Sequence, residues 1–131
     1  MSNLRYTKSH EWVCQELEQE DLLVGITEHA QHLLGDMVYV ELPAIGREVK
    51  AGEEIGVLES VKAASDFYAP ISGAIVAVNT TVAENPALLN QDPYGAGWLV
   101  KIKPSQHEKA VEEMNELLRE DEYLSELTED I

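Results

Sequence analysis

The chain has little cysteine, little positive charge and no long apolar run, and each shortage closes off a class of protein. A single cysteine, Cys14, forbids an internal disulfide framework and suits a reducing compartment. It lies beside Val13 in a strand-like stretch, so it reads as an ordinary half-buried residue. Nine bases stand against 25 acids, a formal net charge of −16 over 131 residues. Such an excess opposes binding to nucleic acid and to anionic membranes, and favours basic partner surfaces. No run approaches the roughly 20 apolar residues of a membrane-spanning helix, and Met1-Ser2-Asn3-Leu4-Arg5-Tyr6 lacks the apolar core of a signal peptide.

Catalytic equipment is equally sparse. Neither a Gly-x-x-x-x-Gly-Lys nor a Gly-x-Gly-x-x-Gly is present, and Cys14 has no adjoining histidine signature. His29 and His32 lie three apart on a short helical stretch with Glu28 and Asp36 near. Their spacing differs from His-Glu-x-x-His and no further ligand set accompanies them, so surface histidines are expected and no metal. A nucleophile with its base, or an acid and base pair, is not evident. The expected class is a non-catalytic one, with no catalytic residue.

What is present centres on residues 55 to 78. Two apolar arms, Ile55 to Leu58 and Ile75 to Val78, flank a link of small residues, and Pro70, Ser72 and Gly73 supply a second turn. The link carries one lysine, Lys62, between Val61 and Ala63, with Glu59 and Asp66 as the nearest acids. Most turn lysines are simply solvated. The other reading is an attachment point, because acylating an amine at a turn tip makes a long arm on a rigid base.

Tyr6 and Trp12 in the segment 6 to 12 are costly to leave in water, so that lead-in is expected to be ordered. Strands are expected at Val13 to Leu17 and Leu22 to Ile26 around an acidic loop, Glu18 to Asp21. Thr27 is a plausible N-cap for a helix with Ala30, Leu33 and Leu34 on one face, ended by Gly35. Met37 to Leu42 alternates as a strand, and Gly46 to Glu53 holds a very short one. Asn85-Pro86-Ala87-Leu88-Leu89 fits one helical turn opened by proline. Asp92-Pro93-Tyr94-Gly95 is a β-turn sequence, and Gly97 to Lys103 a last strand closed by Pro104. After Pro104, Ser105 and Glu108 have capping-box spacing, and Val111, Met114, Leu117, Leu118, Leu124 and Leu127 recur at helical intervals with a break near Asp121. Residues 105–131 hold ten acids and two bases, half of the net charge; this reads first as the solvated face of a packed helix, and second as a docking surface for a basic partner. A chain of this length buries roughly 68% of its unfolded surface, enough for one core. One domain over 1–131 is expected, a β core of about 6–104 with an acidic helical tail, in a mainly β sandwich or flattened barrel.

Five stretches together resemble the glycine cleavage H-protein family of lipoyl carriers. They are Ser9-His10-Glu11-Trp12-Val13, Val24 to Gln31, Leu34 to Pro43, Glu59 to Asp66, and Asp92-Pro93-Tyr94-Gly95 with Gly97-Trp98. Five pieces in the right order over Tyr6 to Pro104 make the resemblance specific. It implies a barrel-sandwich hybrid (lipoyl-domain-like) fold in which Lys62, within Glu59-Ser60-Val61-Lys62-Ala63, caps a hairpin and carries lipoic acid as an amide. It also implies an arm that takes glycine's aminomethyl group from a pyridoxal-phosphate decarboxylase, the P protein. The folate-dependent aminomethyltransferase, the T protein, then collects the one-carbon unit, and the flavin-dependent dihydrolipoyl dehydrogenase, the L protein, reoxidises the dithiol. A lipoate ligase or a lipoyl/octanoyl transferase is implied to attach the group. In the family the loaded arm folds into a cleft, where Glu11, Asp66 and, more weakly, Ser9 are the matching residues. Some members have a histidine where this chain has Leu33. With no leader before the matching region, a bacterial cytoplasm is expected. Biotin carriers typically flank the lysine with methionines, and lipoyl domains of 2-oxo acid dehydrogenases usually place Asp before it, which Val61 and Ala63 do not match. The remaining alternatives are a lipoate relay and an acidic adaptor whose Lys62 is never modified.

Overall fold

A computed structural model describes residues 4–15 and 21–129. The expected strand end at Glu16 and Leu17 and the loop residues Glu18 to Glu20 lie outside them. Two antiparallel sheets form the body. The larger runs in the order β1 (Leu4–Tyr6), β2 (Glu11–Gln15), β3 (Leu22–Ile26), β9 (Val100–Lys103), β8 (Gly73–Val78), β5 (Glu48–Val49), and the smaller in the order β4 (Met37–Glu41), β6 (Glu54–Ser60), β7 (Ala64–Tyr68). Their inner faces share one core in which Val13, Val24, Ile26, Leu58, Phe67, Ile75, Val100 and Ile102 are buried. This is the mainly β barrel-sandwich hybrid, with five short helices added among the described residues.

Helix α1 (Glu28–Leu34) begins where Thr27 Oγ1 accepts from Ala30 N at 3.2 Å, and ends at Gly35, whose φ of 78° with ψ of −156° favours glycine. Leu33 does not join Ala30 on the inward face as expected; it is 55% exposed. The alternation expected in β4 also fails. A register shift between Met37 and Tyr39 leaves Val38 and Tyr39 both in water while Met37 and Val40 are buried. Asn79 leads into α2 (Thr80–Glu84), which the sequence reading missed, and α3 (Leu88–Gln91) follows Pro86.

The tail packs on the β body as α4 (His107–Glu116) and α5 (Glu120–Glu129). The expected capping box does not form: α4 starts one residue later, from Gln106, without a side-chain cap, and Ser105 Oγ donates to Glu48 at 3.4 Å. The break lies at 117–119, earlier than Asp121. There Leu118 makes reciprocal backbone bonds of 2.8 Å with Tyr6, adding an antiparallel bridge beside β1. Glu113 of α4 accepts from Ser72 N at 2.8 Å and Ser72 Oγ at 2.6 Å, fastening the tail to the turn between the sheets.

Candidate functional site

The lysine hairpin is built from β6 and β7, paired from Glu54↔Tyr68 to Glu59↔Ala64. The second arm is therefore Ala64–Tyr68. Ile75 to Val78, expected as that arm, belongs to β8 in the other sheet, because the Pro70–Gly73 turn carries the chain across the sandwich. At the tip, Ser60 N donates to Ala63 O at 2.8 Å. Ser60 Oγ accepts from both Lys62 N and Ala63 N at 3.1 Å. One hydroxyl thus closes a four-residue turn, as serine does in loops. Lys62 stands exposed on it, with exposed Glu59, Val61 and Ala63 around it.

The tip is also bolted to the rest of the molecule. Val61 N donates to Asp36 O at 3.0 Å, and the Lys62 stem lies over Gly35, with Cε 3.5 Å from where a Cβ would sit. Behind this link Asn90 accepts from Met37 N at 3.0 Å and donates to Gly35 O at 2.8 Å and Gln31 Oε1 at 3.0 Å. Asn90 was not singled out from the sequence; nothing local marks a half-buried asparagine on α3 as the tie between α1 and β4. Among the described residues no hydrogen bond or ion pair engages the Lys62 ammonium, and the ion pair present joins Arg47 to Glu53 at 2.7 Å.

Ser9 and Glu11 meet directly. Glu11 is 1% exposed, and its carboxylate accepts from Thr7 Oγ1 at 2.6 Å, Ser9 Oγ at 2.5 Å and Tyr68 N, on β7, at 3.3 Å. Burial pushes its pKa up, and the hydroxyl and amide bonds pull the other way. Asp66, two residues before Tyr68 on β7, is exposed and takes no part in this cluster of bonds. The structure thus gathers Ser9, Glu11 and the end of β7, and leaves Asp66 in water.

The conspicuous motifs explain one another. Trp12 pairs across the ladder with Gly25, where a Cβ would lie 2.6 Å from the indole, and its Nε1–H donates to Pro93 O at 3.0 Å. Tyr94 Oη accepts from Glu28 N at 3.1 Å, so the Asp-Pro-Tyr-Gly turn secures both β2 and the start of α1. Cys14 is half-buried beside the Tyr6, Trp12 and Tyr123 cluster. Among the described residues no three of His, Cys, Asp and Glu group as a metal site. His29 instead packs against His10, ring centroids 4.9 Å apart, and His32 is exposed. No helix among them is long and apolar enough to cross a membrane.

Comparison with known proteins adds three findings. A family profile described as Glycine cleavage H-protein matches residues 4–130. A glycine cleavage system H protein from Legionella pneumophila (strain Corby) is 57% identical over 130 residues, 99% of each chain. One from Acinetobacter baumannii (strain ATCC 17978) is 49% identical over 122, covering 93% of this chain and 94% of that one. A crystal structure of a glycine cleavage system H protein from Mycobacterium marinum superimposes with a TM-score of 0.85 at 40% identity, covering 98% of both chains.

Proposed function

The chain belongs to the glycine cleavage H-protein family, the lipoyl carriers of the glycine cleavage system, and from that premise we propose that Lys62 bears the lipoyl group. The observation that carries the reading is the hairpin tip. An exposed amine with no bond to give up among the described residues sits on a turn fixed by Ser60 and by Asp36 O. Such an amine can be acylated at no cost in native contacts, and its fixed base sets the sphere that the arm can sweep. Bound there as an amide, lipoate would supply a disulfide able to take the aminomethyl group of glycine.

This chain's own residues do the rest. Val61 and Ala63 leave the amine open to a ligase or transferase, and Ser60 holds the turn in the form presented to it. Exposed Val38 and Val61 give the tip an apolar surface against which partner enzymes can close. Glu11, desolvated and with no cation paired to it among the described residues, is the acid we assign to the cationic amine of the loaded arm, with Ser9 beside it and Asp66 as an outer acid. The P protein loads the arm, the T protein unloads it and the L protein reoxidises it. We assign no catalytic residue to this chain, which works as one lipoyl-carrier domain over 1–131 in a bacterial cytoplasm.

Intact mass and peptide mapping of protein made in a lipoate-competent host test the assignment. A lipoyl increment on the Lys62 peptide is expected. Lys62→Arg should fold as the parent does and remain unmodified, since a guanidinium is not the ligase's amine. An increment retained in Lys62→Arg, or a bare Lys62 despite active ligase and ample lipoate, would refute it.

A further inference from the structure

We infer that Tyr123 of the C-terminal helix is a positioning residue for the arm cleft, holding the loop that carries Ser9 and Glu11 through a His10–Tyr123–Thr27 hydrogen-bond chain. The inference rests on the proposed role of Ser9 and Glu11 toward the loaded arm. The loop joins β1 to β2. His10 N donates to Thr7 O at 3.2 Å and Thr7 N to Glu11 O at 2.9 Å, which closes a tight turn with His10 at φ 72°. That left-handed slot usually takes glycine, and His10 is the non-glycine residue at positive φ among those described. A side chain persists in such a conformation when its surroundings hold it there.

Here the surroundings include α5 and the N-terminal end of α1. The Tyr123 hydroxyl lies 2.8 Å from His10 Nδ1 and 2.7 Å from Thr27 Oγ1, so one phenol joins the turn to the N-cap of α1. Thr27 N also donates to His10 O at 3.0 Å, and His29 packs its ring against the His10 imidazole. Tyr123 itself is fixed by a parallel stack on Tyr6, centroids 4.6 Å apart and planes 7° from parallel. Ser9 and Glu11 are the residues on either side of the gripped histidine. Their mutual bond therefore depends on the turn that the phenol secures.

The helix does not depend on this hydroxyl for its place. The Tyr6–Leu118 backbone bonds and the packing of Leu118 and Leu127 dock it separately. Tyr123→Phe keeps the stack and the bulk and removes only the latch.

The first readout is hydrogen exchange on the unlipoylated variant. Amides of Thr7, His10 and Thr27 should exchange roughly threefold to tenfold faster, the factor that loss of one net hydrogen bond implies, while Val13 and Val24 in the β2–β3 ladder keep their protection. The second readout compares cargo loss from the loaded arm in the parent, Glu11→Gln and Tyr123→Phe. A rise of similar size is expected in Tyr123→Phe, with the rate of Lys62 lipoylation unchanged. Unaltered exchange at the three amides overturns the latch whatever the arm does. Faster cargo loss in Glu11→Gln but not in Tyr123→Phe overturns the positioning role and leaves the cleft standing. No change in either variant refutes the cleft itself, and the role of Tyr123 with it. Uniformly faster exchange across the ladder would make Tyr123 a general structural residue and overturn the inference.

Discussion

Replacing Asn90 by alanine should both weaken the fold and slow modification of a lysine that it never touches. The side chain makes three hydrogen bonds, to Met37 N, Gly35 O and Gln31 Oε1. At about 0.5–1.5 kcal/mol net for each, their loss is worth about 1.5–4.5 kcal/mol. The site is half-buried, so water can reach the freed groups, and alanine regains a few tenths of a kcal/mol as a helix former. About 2 kcal/mol is the expected destabilisation in urea unfolding, with the slope unchanged. The same bonds hold the Gly35–Met37 link, from which Asp36 O receives Val61 N and against which the Lys62 stem lies. Loosening the link spreads the tip over more conformations, so lipoylation by a ligase, measured well below the melting transition, should slow severalfold. Asn90→Asp separates the terms. It keeps an acceptor for Met37 N but sets a carboxylate against Gly35 O, and should be at least as damaging. A loss under about 0.5 kcal/mol, or lost stability with a parental lipoylation rate, would refute the coupling of this tie to the tip.

Two further outcomes follow from other contacts. Because burial raises the folded-state pKa of Glu11 above the ordinary 4.5, the folded chain binds that proton more tightly than the unfolded one; stability should fall as pH rises from about 4.5 through the raised value. The parent-minus-Glu11→Gln difference in unfolding free energy, taken across that range, should show this slope, and a flat difference would mean that Glu11 titrates normally. Gly25→Ala should cost about 1–3 kcal/mol by overpacking the Trp12 indole and straining its bond to Pro93 O. A shifted tryptophan fluorescence should accompany the loss, and an unshifted spectrum with full stability would count against the close approach.

The features legible in the sequence were those fixed by a residue's own backbone demands. Thr27 and Gly35 bound α1 as their capping chemistry requires, and Asp92-Pro93-Tyr94-Gly95 turns with Gly95 N donating to Asp92 O at 3.2 Å. Lys62 stands on a tip because small residues and a serine turn leave it there. Pairing was misread where the more apolar stretch lies farther along the chain. Ile75 to Val78 is the more apolar partner for β6, yet Ala64–Tyr68 takes the place, since the link of three residues from Ser60 to Ala64 closes at less entropic cost than the 12 residues from Ser60 to Gly73. The expected capping box of α4 is absent because the helix starts from Gln106, one residue past Ser105, and tertiary packing rather than a local pattern sets that start.

Sequence by itself determined the lysine, its small neighbours, the acidic character and the order of motifs that marks the family, since these are properties of covalent order and composition. Tertiary structure alone decided that Glu11 is buried among hydroxyls while Asp66 stays in water, that Asn90 braces the tip from α3, and that Tyr123 reaches His10 across 113 positions of chain. Burial and side-chain hydrogen bonds are set by which surfaces meet when two sheets and a tail close on one core, and that is a property of the whole chain.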